Sequence, residues 1–162
     1  MASTLTNLSF GQSSNATIAN STLGNASTSG AYSKVTSPAI NIGTASTQAD
    51  GLWQSTFSTT TGSPYVVNVL TLIDALGAAI SCAHVQAFTV LNSGTAGDMI
   101  VGTGTTALAG TRVGVAQSGG GMDTCYGGTA GFVTGTGSNN IQVATTSASA
   151  LPGIITIATR ST

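Results

Sequence analysis

The sequence predicts an all-β protein: a β-sandwich or jelly roll over residues 51–162, preceded by an extended N-terminal arm over residues 1–50. Three observations carry this prediction. Short apolar or alternating runs recur about every 10–15 residues from Leu52 onward, divided by turns rich in Gly, Pro and Asn. No segment sustains a 3.6-residue apolar period, so almost no helix is expected. Polar positions are filled by Ser and Thr, about 30% of the chain, beside 22 Gly, while charged residues make up only 4%; typical soluble chains carry about 25% charged residues.

The arm is poor in large apolar side chains. They occur in thin clusters: Leu5, Leu8 and Phe10, then Ile18 and Leu23, then Val35, Ile40 and Ile42. So little apolar surface cannot build a separate core, yet the low charge argues against a freely solvated tail. The expected state is an extended segment with short strands that orders against a neighbouring subunit. Leu5, Leu8 and Phe10 are its candidate partner-contact residues.

From residue 52 the pattern is strand, turn, strand. Trp53, Ser55 and Phe57 alternate with Gln54, Thr56 and Ser58, as in a half-buried strand. Residues 61–64, TGSP, form a turn. Residues 65–73 are apolar on both faces, which predicts a central strand. Asp74 to Gly77 suits a tight turn closed by Gly77. Residues 80–91 read as a long strand, residues 92–97 as a hairpin connection, and residues 99–101 as its return strand. A short strand is expected at 111–116 and the most flexible point at 117–121, QSGGG. Residues 126–133 suit a strand or bulged loop. The final strands are 141–145 and 154–159, with Pro152 and Gly153 in the loop between them.

The charge inventory excludes most chemistry. The basic residues are Lys34, Arg112 and Arg160, against Asp50, Asp74, Asp98 and Asp123, for a net charge of -1. That is too little positive charge for nucleic-acid binding, and no apolar run approaches the ~18–20 residues that span a bilayer. The start of the chain has neither a basic nor a continuous apolar segment, so no secretory signal is expected. A Ser/His/Asp triad would need His84, the only histidine, which lies inside a predicted strand. The four Asp sit beside turns, where carboxylates bond nearby backbone amides. Residues 102–104 and 119–121 are not phosphate loops, since no Lys follows. Neither a catalytic residue nor a cofactor is expected, and Cys82, His84, Cys125 and Asp123 match no zinc spacing. Cys82 and Cys125 read as small buried hydrophobes, with a disulfide as the minority alternative. Trp53, Phe57 and Tyr65 could form an aromatic platform for a sugar, but core packing is the favoured reading.

Residues 74–104, DALGAAISCAHVQAFTVLNSGTAGDMIVGTG, carry a D-x-x-G, an apolar strand, an N-x-G and an apolar pair before a glycine turn. Together with residues 132–137, 141–143 and 154–157, this resembles small β-sandwich virion proteins of tailed phages and prophages. The resemblance covers roughly residues 52–160 and not the arm. It implies a head-decoration or fibre-associated protein located in the virion and made in a host cytoplasm, and it transfers no catalytic residue. The expected partners are copies of the chain itself, as a homotrimer, and a major capsid protein or other virion subunit. The alternatives are a receptor- or glycan-binding fibre module and a cellular filament subunit joined by strand addition.

Overall fold

The computed structural model describes residues 13–20, 28–35, 40–46, 48–74, 77–102, 108, 114–128, 131–135 and 139–162. The chain divides into two compact units, one of Ser9–Ala39 and the other holding Ile40–Thr162. In the first, β1 (Ser13–Asn20) and β2 (Thr28–Val35) pair antiparallel, from Ser13 opposite Val35 to Asn20 opposite Thr28. The described residues of the second unit start at Ile40. Its first strands, β3 (Asn41–Ile42) and β4 (Gln48–Ala49), pair parallel. Ile40 and Ala49 are buried there, and Asp50 N–H donates to Thr159 O at 3.0 Å.

The rest of this unit is a sandwich of two antiparallel sheets. Its strands are β5 (Gly51–Thr59), β6 (Tyr65–Asn68), β7 (His84–Asn92), β8 (Met99–Val101), β9 (Gly114–Ala116), β10 (Met122–Tyr126), β11 (Phe132–Val133), β12 (Asn140–Thr145) and β13 (Leu151–Arg160). One sheet runs β5-β13-β7-β10, with β11 continuing the β10 edge, and the other runs β6-β12-β8-β9. Apart from β8–β9 and β10–β11, successive strands lie in opposite sheets, and the two sheet orders are those of a jelly roll. The only helical element among the described residues is one 3-10 turn, Val69–Thr71.

Period-two alternation places the core. β12 buries Ile141, Val143 and Thr145 and half-exposes the residues between them. β13 sends Leu151, Ile155 and Ile157 inward. These meet Val67, Phe88, Val90, Met99 and Val101 between the sheets. A bulge keeps β7 in phase. Ala158 faces Ala87 while Thr159 faces Val85, so Gln86 is the extra residue and both Val85 and Phe88 reach the core.

Four local expectations are corrected. Residues 65–73 are not a central strand: β6 is a four-residue edge. It ends because Asn68 Oδ1 accepts from Leu70 N–H at 3.0 Å and Thr71 Oγ1 donates to Asn68 O at 3.1 Å, which turns the chain. The strand expected from residue 80 starts at His84. Residues 92–97 are not a hairpin connection, because β8 pairs with β12 and β9 in the opposite sheet. Pro152 and Gly153 are not in a loop but open β13, opposite Ser58 and Phe57. A Cβ at Gly153 would lie 2.6 Å from Phe57 Cζ. The glycine is what lets that ring lie across the strand and stack on Tyr65 at 4.5 Å.

The turn at Asp74 forms as expected. Gly77 N–H donates to Asp74 O at 3.0 Å, and Ala78 N–H donates to the Asp74 carboxylate at 2.8 Å. Gly77 has φ 85°, which favours glycine.

Candidate assembly surface

The expected arm contacts Leu5, Leu8 and Phe10 lie outside the described residues. The surface of the sandwich is open to inspection, and its outward sheet faces follow from the registers. β5 exposes Leu52, Gln54, Thr56 and Ser58. Carried across β13, β7 and β10, the first three of these positions define three straight rows. The first is Leu52, Ala158, Ala87 and Tyr126. The second is Gln54, Thr156, Thr89 and Thr124, and the third Thr56, Ile154, Leu91 and Met122. In the middle row Gln54 Nε2 donates to Thr156 Oγ1 at 3.0 Å, and the hydroxyls of Thr89 and Thr124 lie 3.3 Å apart. Strands sit about 4.8 Å apart, so each row spans roughly 15 Å of neutral side chains. In the first row Ala158 and Ala87 are fully buried, and only the ends, Leu52 and Tyr126, reach the surface.

The opposite face has the same character. Val66 lies beside Gln142, Asn68 beside Asn140, and Ala144, Ile100 and Val115 form a row. Val66 and Val115 are each about half exposed. Neither face carries an exposed charged side chain among the described residues.

The charges are engaged elsewhere. The Asp50 carboxylate accepts from Ser161 N–H at 3.0 Å and from the Ser161 hydroxyl, tying down the exit of β13. Asp74 closes its turn, and Asp98 accepts from Ser118 N–H at 3.0 Å. Asp123 lies over Gly114, where any Cβ would collide with its carboxylate. Arg160 is buried at the end of β13.

The other sequence candidates are absorbed by the core. Phe57 is buried, and Trp53 and Tyr65 pack against the same cluster, so these aromatics present no open platform. Cys82 and Cys125 are buried thiols and no disulfide joins them. Cys82 Sγ donates to His84 O at 3.6 Å. Burial, reinforced by the nearby Asp50 charge, pushes the Cys82 thiol up to about 12. Among the described residues no three His, Cys, Asp or Glu side chains stand close enough to share a metal ion. No helix there is long and apolar enough to cross a membrane.

One residue that organises the surface was not singled out by its sequence. Asn92 is fully buried where the chain leaves one sheet for the other. Its Nδ2 donates to Gly97 O at 2.9 Å and Ala116 O at 3.1 Å, and its Oδ1 accepts from Gly94 N–H at 3.0 Å. The only local signal is an Asn two residues before a Gly at the end of an apolar strand, a pattern shared by many ordinary turns. No protein-family model and no curated protein matches the chain.

Proposed function

We propose that this chain is a non-catalytic structural subunit of a virus particle, an accessory protein that decorates or cements a capsid by packing neutral sheet faces against neighbouring subunits. The observation that carries the reading is the absence of exposed charge from both outward faces of the sandwich among the described residues. A solitary soluble domain normally keeps charge on such faces to stay apart from its copies. The jelly-roll order adds support by analogy, since shell-forming viral domains use it. Self-association to a trimer and contact with a major capsid protein are part of the proposal.

The test is co-sedimentation of the protein with particles that lack it, at low ionic strength and at about 1 M salt, where exposed ion pairs are screened within about 3 Å. The expected result is retained binding in both, at a copy number comparable to the major shell subunit. Light scattering of the unbound protein is expected to give three times 15.8 kDa. Binding that salt abolishes, or no binding at all, would refute the proposal.

A further inference from the structure

β3 and β4 belong to neither sheet of the sandwich and, among the described residues, pair only with each other. The loop between them closes on itself. Gly43 N–H donates to Ala49 O at 2.9 Å, Gln48 N–H to Ala45 O at 3.0 Å, and Ala45 N–H to Gln48 Oε1 at 3.0 Å. The Gln48 amide fills the space that a Cβ at Gly43 would need, and Gly43 has a φ of 147°, which favours glycine. A ladder of two pairs is not stable by itself. These bonds therefore last only while the loop is held against the sandwich.

Among the described residues the polar attachment is concentrated at the end of β13. Asp50 N–H donates to Thr159 O at 3.0 Å. The Asp50 carboxylate accepts both the N–H and the hydroxyl of Ser161, and Thr162 Oγ1 donates to Thr44 O at 3.3 Å. The two bonds to the carboxylate are charge-assisted and are the strongest of this set. Ile40 and Ala49 are buried, while Thr44, Ala45 and Ser46 are exposed. Few buried apolar side chains and a handful of hydrogen bonds at one place are the marks of a segment that opens by itself, below the cost of global unfolding.

We propose that residues 40–50 are a detachable strap, clasped by Asp50 to Ser161, whose release is a separate opening that leaves both sheets of the sandwich intact. These residues join the sandwich to the Ser9–Ala39 unit. Clasped, Asn41 stands beside Gln48, one strand spacing or about 4.8 Å away. Extended, residues 40–50 cover roughly 35–40 Å. Release therefore lengthens the tether on which the Ser9–Ala39 unit reaches a neighbouring subunit. The reach rests on the assembly reading; the opening does not.

Hydrogen exchange of the full-length protein tests the opening. Asp50→Asn is expected to speed exchange of the Gly43, Gln48 and Ser161 amides about tenfold or more, with β7 and residues 154–157 of β13 unchanged. Ser161→Ala, a milder change, is expected to act in the same direction. No acceleration in the loop, or equal acceleration in β13, would overturn the opening. The reach is tested by fastening the strap. Thr44→Cys and Thr162→Cys are combined in one chain and bridged with a short bismaleimide, with each single variant as control and both native thiols buried. In co-sedimentation with particles that lack the protein, the bridged form is expected to bind at least tenfold more weakly than the unbridged form. Undiminished binding by the bridged form would overturn the reach. Binding by neither form would overturn the assembly reading and the reach with it, while the exchange result alone decides the opening.

Discussion

Asn92 and Cys82 illustrate two ways in which a buried polar atom can be accommodated. Asn92 satisfies both ends of its amide, and those bonds hold together the chain that crosses between sheets. Asn92→Ala leaves the carbonyls of Gly97 and Ala116 and the N–H of Gly94 without this partner. It is expected to destabilise the fold by about 2–4 kcal/mol, read as a lower denaturant midpoint with an unchanged slope. A loss below about 0.5 kcal/mol would show that the crossing is held by something else. Cys82 is accommodated by staying neutral. Its thiol ionises near 9 when unfolded and near 12 in the fold. The unfolded chain therefore sheds the proton first, and this contribution to stability declines as pH rises from 9 towards 12, by at most about 1.4 kcal/mol per pH unit. Below pH 9 it is flat. Unfolding measured at pH 8 and pH 10 should show wild type losing more stability than Cys82→Ala over that interval; equal losses would rule out Cys82 as the source.

At the scale of strands, the sheet order ranks the elements by how firmly they are held. β7 and β13 are paired on both sides, whereas β6 and β9 are short edges. Native-state hydrogen exchange is expected to be slowest in β7 and β13, close to the rate set by global unfolding, and much faster in β6 and β9. Comparable protection in β6 would contradict the topology. The same ranking explains what could be read from the amino acids. The alternation of β5 and β12 was legible because each has one face on the core and one outside. The run 65–73 was misread because its outward residues are apolar too: Val66, Leu70 and Ile73 are all about half exposed. An apolar run signals a central strand only where the surface is otherwise polar, and this surface is not. Pro152 and Gly153 read as a loop because local preference excludes them from strands. The ring of Phe57, which compensates for the missing side chain of Gly153, is supplied by a residue far away in sequence.

For the whole molecule, fold class was visible and connectivity was not. Recurring strands and glycine turns identify a sandwich, but the three residues of β8 contain nothing that states which sheet they join. That choice is made by pairing with β12, more than forty residues later. The neutral faces were foreshadowed by composition, while their assembly into rows depends on registers that no local pattern encodes.

The pairing of β5 with β13 has a consequence in time. Gln54 and Thr156, joined across that pair, are 102 residues apart in the chain. At a synthesis rate of about 5–20 residues per second, β5 leaves the ribosome roughly 5–20 s before the strand that completes it. β7, the other neighbour of β13, must also wait. Folding dominated by such distant pairings is slow in itself. A strand that has one neighbour among the described strands of the finished protein has none in the nascent one, and throughout that interval each growing chain must be kept apart from its siblings.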